Sequence, residues 1–591
     1  MAVPDSTPRI LTKADSAALR RARLAADSIK APTAPAHPPL NAAGRGPGRG
    51  AALRRAGAVT LADLLMRIPG VTAFRANWIP APQFIAWNGD ARRVRVFFDG
   101  IEIDPIDERY GRLLDLGVTP LWQLEEVSAE RVAGELRVHL RSWRVDRTTP
   151  GTRTDVTSGS ENTNFYRGYY GRRLHNGGVI QLAAQQYSTA SLRTGGDGSS
   201  LQVFGRLGWA GKRWSVDATW NRAGVDRSPT IRFPLSRELA EKNAVPAFKG
   251  TLGTAYGRVA WGDPDAKAAP WVQLIASTQS MRDDSDSLPP DTTFVVTGPD
   301  SGTMLVDTAT FATSRAQYVF AAGASRWGLD GSVTARLRVG HGRTDLSPSA
   351  RLRYTRSFVT LAAYAESRGS DSTLRVDLSA RVAPWRWLAV DGTFGTYTPS
   401  AASTGGPAFT ASRLELSTVV RGISLTAGGL SRDQTLLAAP VVLDSGLVPV
   451  LSGETRGVVI GVRSPVYKDV SINVDAVRWD SQGAYRPQME VHTSLTLDSG
   501  WPRKFPRGNF HVLAAAMYDH RTPMFFPDAT GGVGQTTGPI DVLSARLEFR
   551  IMSGTVFIQF SNLVGKVYYT APGYMMPRML QYYGLRWEFW N

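Results

Sequence analysis

Read in steps of two, the stretch TLRVDLSARV (Thr373 to Val382) sets Leu374, Val376, Leu378, Ala380 and Val382 on one side. Arg375, Asp377, Ser379 and Arg381 fall on the other. Successive side chains of a β-strand point to opposite faces, so this segment is a strand with one apolar face and one charged face. The same period recurs in RWSVDATWN (Arg213 to Asn221), VSINVD (Val470 to Asp475), MEVHTSL (Met489 to Leu495) and the final LRWEFWN (Leu585 to Asn591). A soluble sandwich also alternates, but it must hide each apolar face within a layer about 10 Å thick, and it rarely needs charged faces on strand after strand. An exposed apolar face on so many strands would aggregate in water. The pattern therefore places that face in lipid.

Strand starts support this. One set begins near residues 152, 177, 212, 269, 327, 357, 386, 422, 470, 508 and 555, and the returning set near 164, 199, 249, 308, 346, 372, 408, 452, 486, 540 and 579, giving 22 strands. Links from the second set back to the first are mostly brief, such as Gly211, RS, APWR and RG. The opposite links include the long stretches 224–248, 282–307, 432–450, 520–539 and 563–578. An even strand number, with short turns on one rim and long loops on the other, is the signature of a bacterial outer-membrane barrel. Closure satisfies every backbone hydrogen bond without a free edge, as lipid demands. The fold class is thus a 22-stranded antiparallel transmembrane β-barrel. The lumen of so large a barrel is too wide for its own side chains to fill, so something must plug it.

The first quarter of the chain supplies the candidate. Residues 51–148 contain LADLLMRIPGV (Leu61 to Val71), with helical spacing stopped by Pro69-Gly70. RVRVFFDGIEID (Arg93 to Asp104) reads as two strands around an Asp-Gly turn. VTPLWQLEEVSAERVAGELRVHLRSW (Val118 to Trp143) reads as a short helix, a strand, a turn and a strand. This is a small α+β domain. Residues 1–50, rich in Ala, Pro, Arg and Gly, are expected to be disordered or linker-like, with one short helix near Ser16 to Ile29. Residues 150–591 are the barrel.

Composition excludes several classes. No apolar run approaches the roughly 20 residues of a spanning helix, and the 591 residues hold no Cys, which removes disulfides and thiolate metal sites. The net charge of +17 would suit nucleic acid, but outside the N-terminal segment the Arg residues alternate with apolar ones rather than cluster. No nucleophile-base-acid set, phosphate-binding loop or dinucleotide fingerprint occurs, so no catalytic residue, cofactor or nucleic-acid partner is expected. The seven His residues have no metal-ligand spacing, although His492 and His511 are expected to point into the lumen. MRDDSDSLPPD (Met281 to Asp291) groups Asp283, Asp284, Asp286 and Asp291 without a calcium-loop pattern and reads as a solvated turn.

Four fragments in order, flanking the strands, carry a resemblance. VTLADLLMRIPGV (Val59 to Val71), RVFFDGIEID (Arg95 to Asp104) and LWQLEEVSAERVAGELRVHLRSW (Leu121 to Trp143), with FIQFSNLVGKVYYTAPGYMMPRMLQYYGLRWEFWN (Phe557 to Asn591) at the far end, resemble TonB-dependent outer-membrane receptors. The resemblance covers roughly residues 51–591. It implies a plug domain inside the barrel and uptake of a scarce nutrient (a metal chelate, vitamin or oligosaccharide) by TonB-coupled plug rearrangement. It also implies a cell outer-membrane location, contact with lipid and lipopolysaccharide, a TonB-type periplasmic energy-coupling partner and a monomer. A passive channel with a vestigial plug, or a surface-binding barrel that transports nothing, stays open. No signal peptide is visible in the opening MAVPDSTPRILTKADS, and PRILT (Pro8 to Thr12) is the nearest match to a TonB-contacting box.

By the same resemblance, plug loops facing outward touch the ligand, which singles out Trp78, Phe84 and Trp87 in RANWIPAPQFIAWNGD. The alternative is that these aromatics pack the plug against the wall. The loop HRTPMFFPD offers Arg521, Phe525 and Phe526 as a second apolar tip beside a positive charge, or as loop packing. The lumen-facing Arg351, Arg353, Arg375, Arg381 and Arg586 either pair with carboxylates such as Asp377 and Glu588 or bias the interior toward anions.

Overall fold

Period-two segments can only be satisfied by neighbours on both sides, and in the computed structural model they close on one another. The structure describes residues 48–107, 113–119, 121–190, 196–230, 232, 245–262, 269–285, 311–340, 342–369, 373–399, 407–444, 446–501, 504–505, 508–527 and 534–590. The Ser16 to Ile29 helix, PRILT, Asp286 and Asp291 lie outside them. Twenty-two antiparallel strands, from Gly151–Gly159 to Leu580–Trp590, form a closed barrel in which sequence neighbours are sheet neighbours. The last strand seals against the first, Tyr582 opposite Gly159 through Trp590 opposite Gly151.

The wall is inverted relative to a soluble protein. In Thr373–Trp385, Leu374 is 52% exposed and Arg375 1%. Leu182, Leu201, Leu274, Leu346, Leu414 and Val458 repeat the outward apolar position on other strands. A band of this size has no place in water and belongs in hydrocarbon. In the last strand Trp587 faces out, while Arg586 turns inward to Asp155 (3.1 Å) and Glu588 to Arg54 (3.1 Å).

The two rims differ as the link lengths require. Residues 327–328, 357–358, 386–387, 421–422, 468–469 and 552–553 are two-residue hairpins. Trp327, Ser357, Arg421, Lys468 and Met552 adopt the positive φ that such turns require. Exposed Trp209, Trp214, Trp327, Trp385, Trp387 and Trp587 gather near this rim as an aromatic girdle. The opposite rim carries the connections 228–247, 284–310, 433–454, 522–539 and 562–579.

Inside the lumen sits the plug. Its sheet runs Gly48–Arg49, Leu124–Arg131, Leu136–Ser142, Val94–Phe98, Ile101–Glu102, with only the Leu136–Ser142 and Val94–Phe98 pair parallel. A hairpin of Val71–Arg75 and Gln83–Trp87 and the helix Leu61–Leu65 cover it. That helix starts on a capping box, in which Thr60 accepts from the Asp63 amide and Asp63 accepts from the Thr60 amide. Leu61, Leu64, Leu65, Val71, Ile85, Trp87, Val96, Val127, Leu136 and Val138 make one core. The helix expected within Val118 to Gln123 is not formed; the described residues there are turns. The Asp115 carboxylate takes the Gly117 and Gln83 amides, and the Trp122 indole reaches Gly168 O on the wall (3.1 Å), which leaves too few residues for a helical nucleus.

Candidate functional site

Filling a wide lumen with a separate domain creates a long seam, and along one half of the wall that seam is charged. Arg95 forks onto Glu102 (both 2.7 Å) and, from the same guanidinium, onto Glu366 of the wall (2.5 and 2.9 Å). Glu102 also meets Arg336 (3.3 Å) and Arg338, and Arg338 reaches Asp104 (3.1 Å). Glu130 takes Arg351 (2.6 Å), Glu135 takes Arg375, and Arg137 takes Asp377. The Asp-Gly turn contributes too, since Asp99 receives the Tyr256 hydroxyl (2.7 Å) and the Ser142 amide (3.0 Å). Gly134 passes so close to the Tyr397 ring that no Cβ would fit. Burial pushes the Glu102 and Glu130 carboxyls up, but the surrounding arginines, Arg95 and Arg338 for the first and Arg351 for the second, outweigh it and hold both well below the usual range. Charge-assisted, often bidentate bonds of this kind fix geometry strongly while leaving both partners water-soluble when separated.

At the outer rim the loops fold onto the plug. Phe74 and Phe84 of its hairpin share an apolar cluster with Leu437, Leu443, Leu447, Tyr485, Met524, Phe526, Ala571 and Tyr574. The Phe526 ring meets Phe74 and Tyr485 edge-on at 5.9 and 5.7 Å. Hydroxyls tie loop to loop, Tyr485 donating to Val448 O and Tyr574 to Leu443 O (2.6 Å each). Arg232 joins Asp444 and Gln535, so three connections share one clasp. Thr570 exchanges bonds with the Arg75 backbone of the plug (3.1 and 3.2 Å).

The charged half keeps a cavity of about 150 Å³ between Ile101 and Asp104 of the plug and Gln202 and Gln279 of the wall, and the opposite half holds a larger one. A cavity of about 390 Å³ lies between the helix Leu61–Leu65 and the strands from Thr455–Tyr467 to Leu580–Trp590. Leu64, Ile68, Met517 and Val542 line it with Asp63, Arg67, Arg75, His492, Asp519 and Arg521. Asp63 binds Arg75 (2.5 Å), and His492 binds Asp519 (2.5 Å). Burial raises the Asp63 carboxyl, but Arg75 and the Thr60 amide more than offset this and leave it lowered. Tyr568, in the loop above, is pushed up to about 12 by burial.

A small mixed-sheet domain, clamped in a closed barrel of 22 strands and roofed by its long loops, decides the class of fold. This is the fold of a plugged outer-membrane receptor. It agrees with the resemblance to TonB-dependent receptors carried by the sequence fragments. The chain is similar in structure to the siderophore receptor PirA from Acinetobacter baumannii, with a TM-score of 0.68, 10% identity, and coverage of 92% of this chain and 98% of that one. It is similar to the ferric enterobactin receptor PfeA from Pseudomonas aeruginosa, a Q482A mutant in complex with enterobactin, at TM-score 0.67, 11% identity and coverage of 92% and 99%. The FrpB iron transporter from Neisseria meningitidis follows at 0.66, 11%, and 90% and 97%. No protein-family model and no curated protein sequence matches the chain.

Within this receptor fold the expected ligand residues separate into three places. Phe84, Phe525 and Phe526 meet in the roof, Phe84 and Phe526 fully buried and Phe525 half-buried. Trp78 stacks on Tyr582 of the wall (5.9 Å) and, with Arg521, lines the side cavity. Trp87 lies in the plug core, away from both. Sequence reading missed Arg67, Asp63 and Arg75. Asp63 was findable, since Thr60 followed three residues later by an acidic residue before an apolar run is a capping-box pattern. Four of the five lumenal arginines took the pairing option among the described residues, Arg381 being the exception: Arg351, Arg375 and Arg586 bind Glu130, Glu135 and Asp155, and Arg353 binds Asp330 (2.6 Å). His492 and His511 both pair with aspartates, Asp519 and Asp498. Asp284 is held by Arg282 (2.7 Å), and among the described residues no group of three or more His, Asp and Glu could hold a metal.

Proposed function

We propose that the protein is an outer-membrane receptor-transporter that takes up a scarce nutrient (a metal chelate, vitamin or oligosaccharide) by TonB-coupled rearrangement of its plug. The observation that carries this reading is the seam itself, in which buried ion pairs hold the plug on one half of the wall and the larger cavity, of about 390 Å³, lies on the other. The plug meets the wall through these charges as well as through apolar contacts such as Ile101 with Tyr256 and Ile275 and Trp78 on Tyr582, and buried ion pairs, unlike apolar contacts, can be exchanged for water when the plug moves. The names of the similar structures, two receptors for iron-binding compounds and an iron transporter, make iron chelates the first cargo to test. In this reading the chain works as a monomer in lipid and lipopolysaccharide. The ligand contacts are Phe84, Phe525 and Phe526 once the roof opens, then Trp78 and Arg521 along the cavity. Trp87 acts by holding the plug's shape.

Deleting the gene and growing the host on limiting iron, vitamin or oligosaccharide tests this. Energised uptake predicts a growth defect that complementation repairs only while the coupling protein and the proton gradient are intact. Rescue that survives loss of the gradient means a passive channel, and an absent defect on every nutrient means a barrel that does not transport.

A further inference from the structure

The side cavity has an unbalanced charge. Three of its carboxylates are taken: Asp63 by Arg75 (2.5 Å), Asp475 by Arg463 (2.9 Å) and Asp519 by His492 (2.5 Å). Two guanidiniums that line it make no ion pair among the described residues, although both lie within electrostatic reach of Asp519. Arg67 donates to the Ala56 carbonyl (2.8 Å) and makes no ion pair. Arg521 is 1% exposed, and neither of its terminal nitrogens meets an acceptor. Its register neighbour across the sheet, Glu490, holds the Gly70 amide with one oxygen (2.6 Å), leaves the other buried without a partner, and forms no ion pair with Arg521. A buried guanidinium with empty donors is costly unless something supplies oxygens. Here the donors border a space of about 390 Å³, within the range of small-molecule sites. Leu64, Ile68, Trp78, Met517 and Val542 supply apolar surface around them.

We propose that this cavity binds a small organic anion, its carboxylate or phosphate oxygens taken by Arg521 and Arg67 and its apolar part by the surrounding side chains. The inference rests on the receptor-transporter reading for its use in the cell and narrows the cargo to anionic solutes or anionic chelates. The binding chemistry itself follows from fork-shaped donors, which match carboxylate and phosphate geometry.

The absence of cysteine from the chain provides a direct test that does not depend on transport. Ser544 lines the cavity, so Ser544→Cys in the full chain in detergent micelles places one thiol there. It is reacted with an anionic sulfonatoethyl and a cationic trimethylammonium-ethyl methanethiosulfonate, each rate divided by that reagent's rate with a small free thiol. The anionic reagent is expected to be favoured by about tenfold, the lower end of what a focused field gives. Adding Arg521→Gln should bring the ratio close to one, Arg67→Gln should lower it in part, and Arg521→Lys should keep most of it. Millimolar benzoate should slow the anionic reagent where benzyl alcohol does not. Inorganic phosphate used in place of benzoate then tells whether the ring contributes. Barrel integrity is checked for each variant by heat-modifiable migration in gels. A ratio at or below one, a ratio unmoved by both arginine substitutions, or a thiol that neither reagent reaches would overturn the proposal. Failure here leaves uptake intact as a reading, whereas a growth-neutral deletion with anion preference retained would sink uptake and leave the site.

Discussion

The two halves of the lumen treat the same plug differently. Toward the strands from Gly198–Ala210 to Phe409–Val420, plug carboxylates and arginines share buried partners on the wall in a network. Toward the strands from Thr455–Tyr467 onward, polar contact thins to bonds such as Gly70 on Glu490 (2.6 Å) and Gly57 on Gln559 (2.8 Å) and the rim pairs of Arg54 and Arg55, with Trp78 stacked on Tyr582 and a cavity between. The plug is therefore held like a door, hinged on a charged side and gapped on the other. A pull on its N-terminal end would widen the gap before it broke the clamp.

Breaking the clamp should have the largest effect. Glu102→Ala strands Arg95, Arg336 and Arg338 without their shared carboxylate. Removing one partner of a buried ion pair costs about 3–5 kcal/mol. The plug should leave the lumen at clearly lower urea, read by protease access to the plug, while the barrel keeps its heat-modifiable migration. On the gap side, Asp63→Ala removes the Arg75 partner and half the capping box. A loss of about 1–3 kcal/mol is expected in the same assay, with the plug loosened but the clamp still in place.

Acid should sharpen the contrast further. The native Glu102, Glu130 and Asp63 carboxyls are depressed, so their contribution is fully present above the unfolded-state value near pH 4. It is lost as the pH falls through the native values. Plug protease access should thus be flat from neutral down to about pH 4 and rise below it. The smallest effect belongs to the rim. Arg55→Ala removes a solvent-exposed pair with Asp498 and should shift plug release by no more than about 1 kcal/mol.

How much of this was readable from the chain depends on the range of the interaction involved. Strand number, closure and the lipid face followed from a period of two residues, as in Leu374 and Arg375, because each side chain's direction is set by its own backbone. The Asp99–Gly100 turn was equally local, and so was the Thr60–Asp63 cap that the reading passed over. Arg95 and Glu366 are 271 residues apart in sequence and meet only because the barrel wraps the plug, so no pattern marks them. The roof escaped for a related reason. Its pieces, such as Thr435–Leu437 on Val450–Ser452 and Phe525–Phe526 on Gln535–Thr536, are too short to show a period, and they gain stability from packing on Phe74 and Phe84. The missing helix before Leu124 shows the opposite error, where a local pattern yielded to Trp122 anchoring on the wall.

Single-channel conductance in planar bilayers probes the plugged cylinder most directly, comparing the full chain with one lacking residues 1–148. The account predicts a silent or rarely flickering full chain and a stable, large, ohmic pore once the lumenal domain is gone. Equal currents from the two proteins, whether both open or both closed, would contradict it.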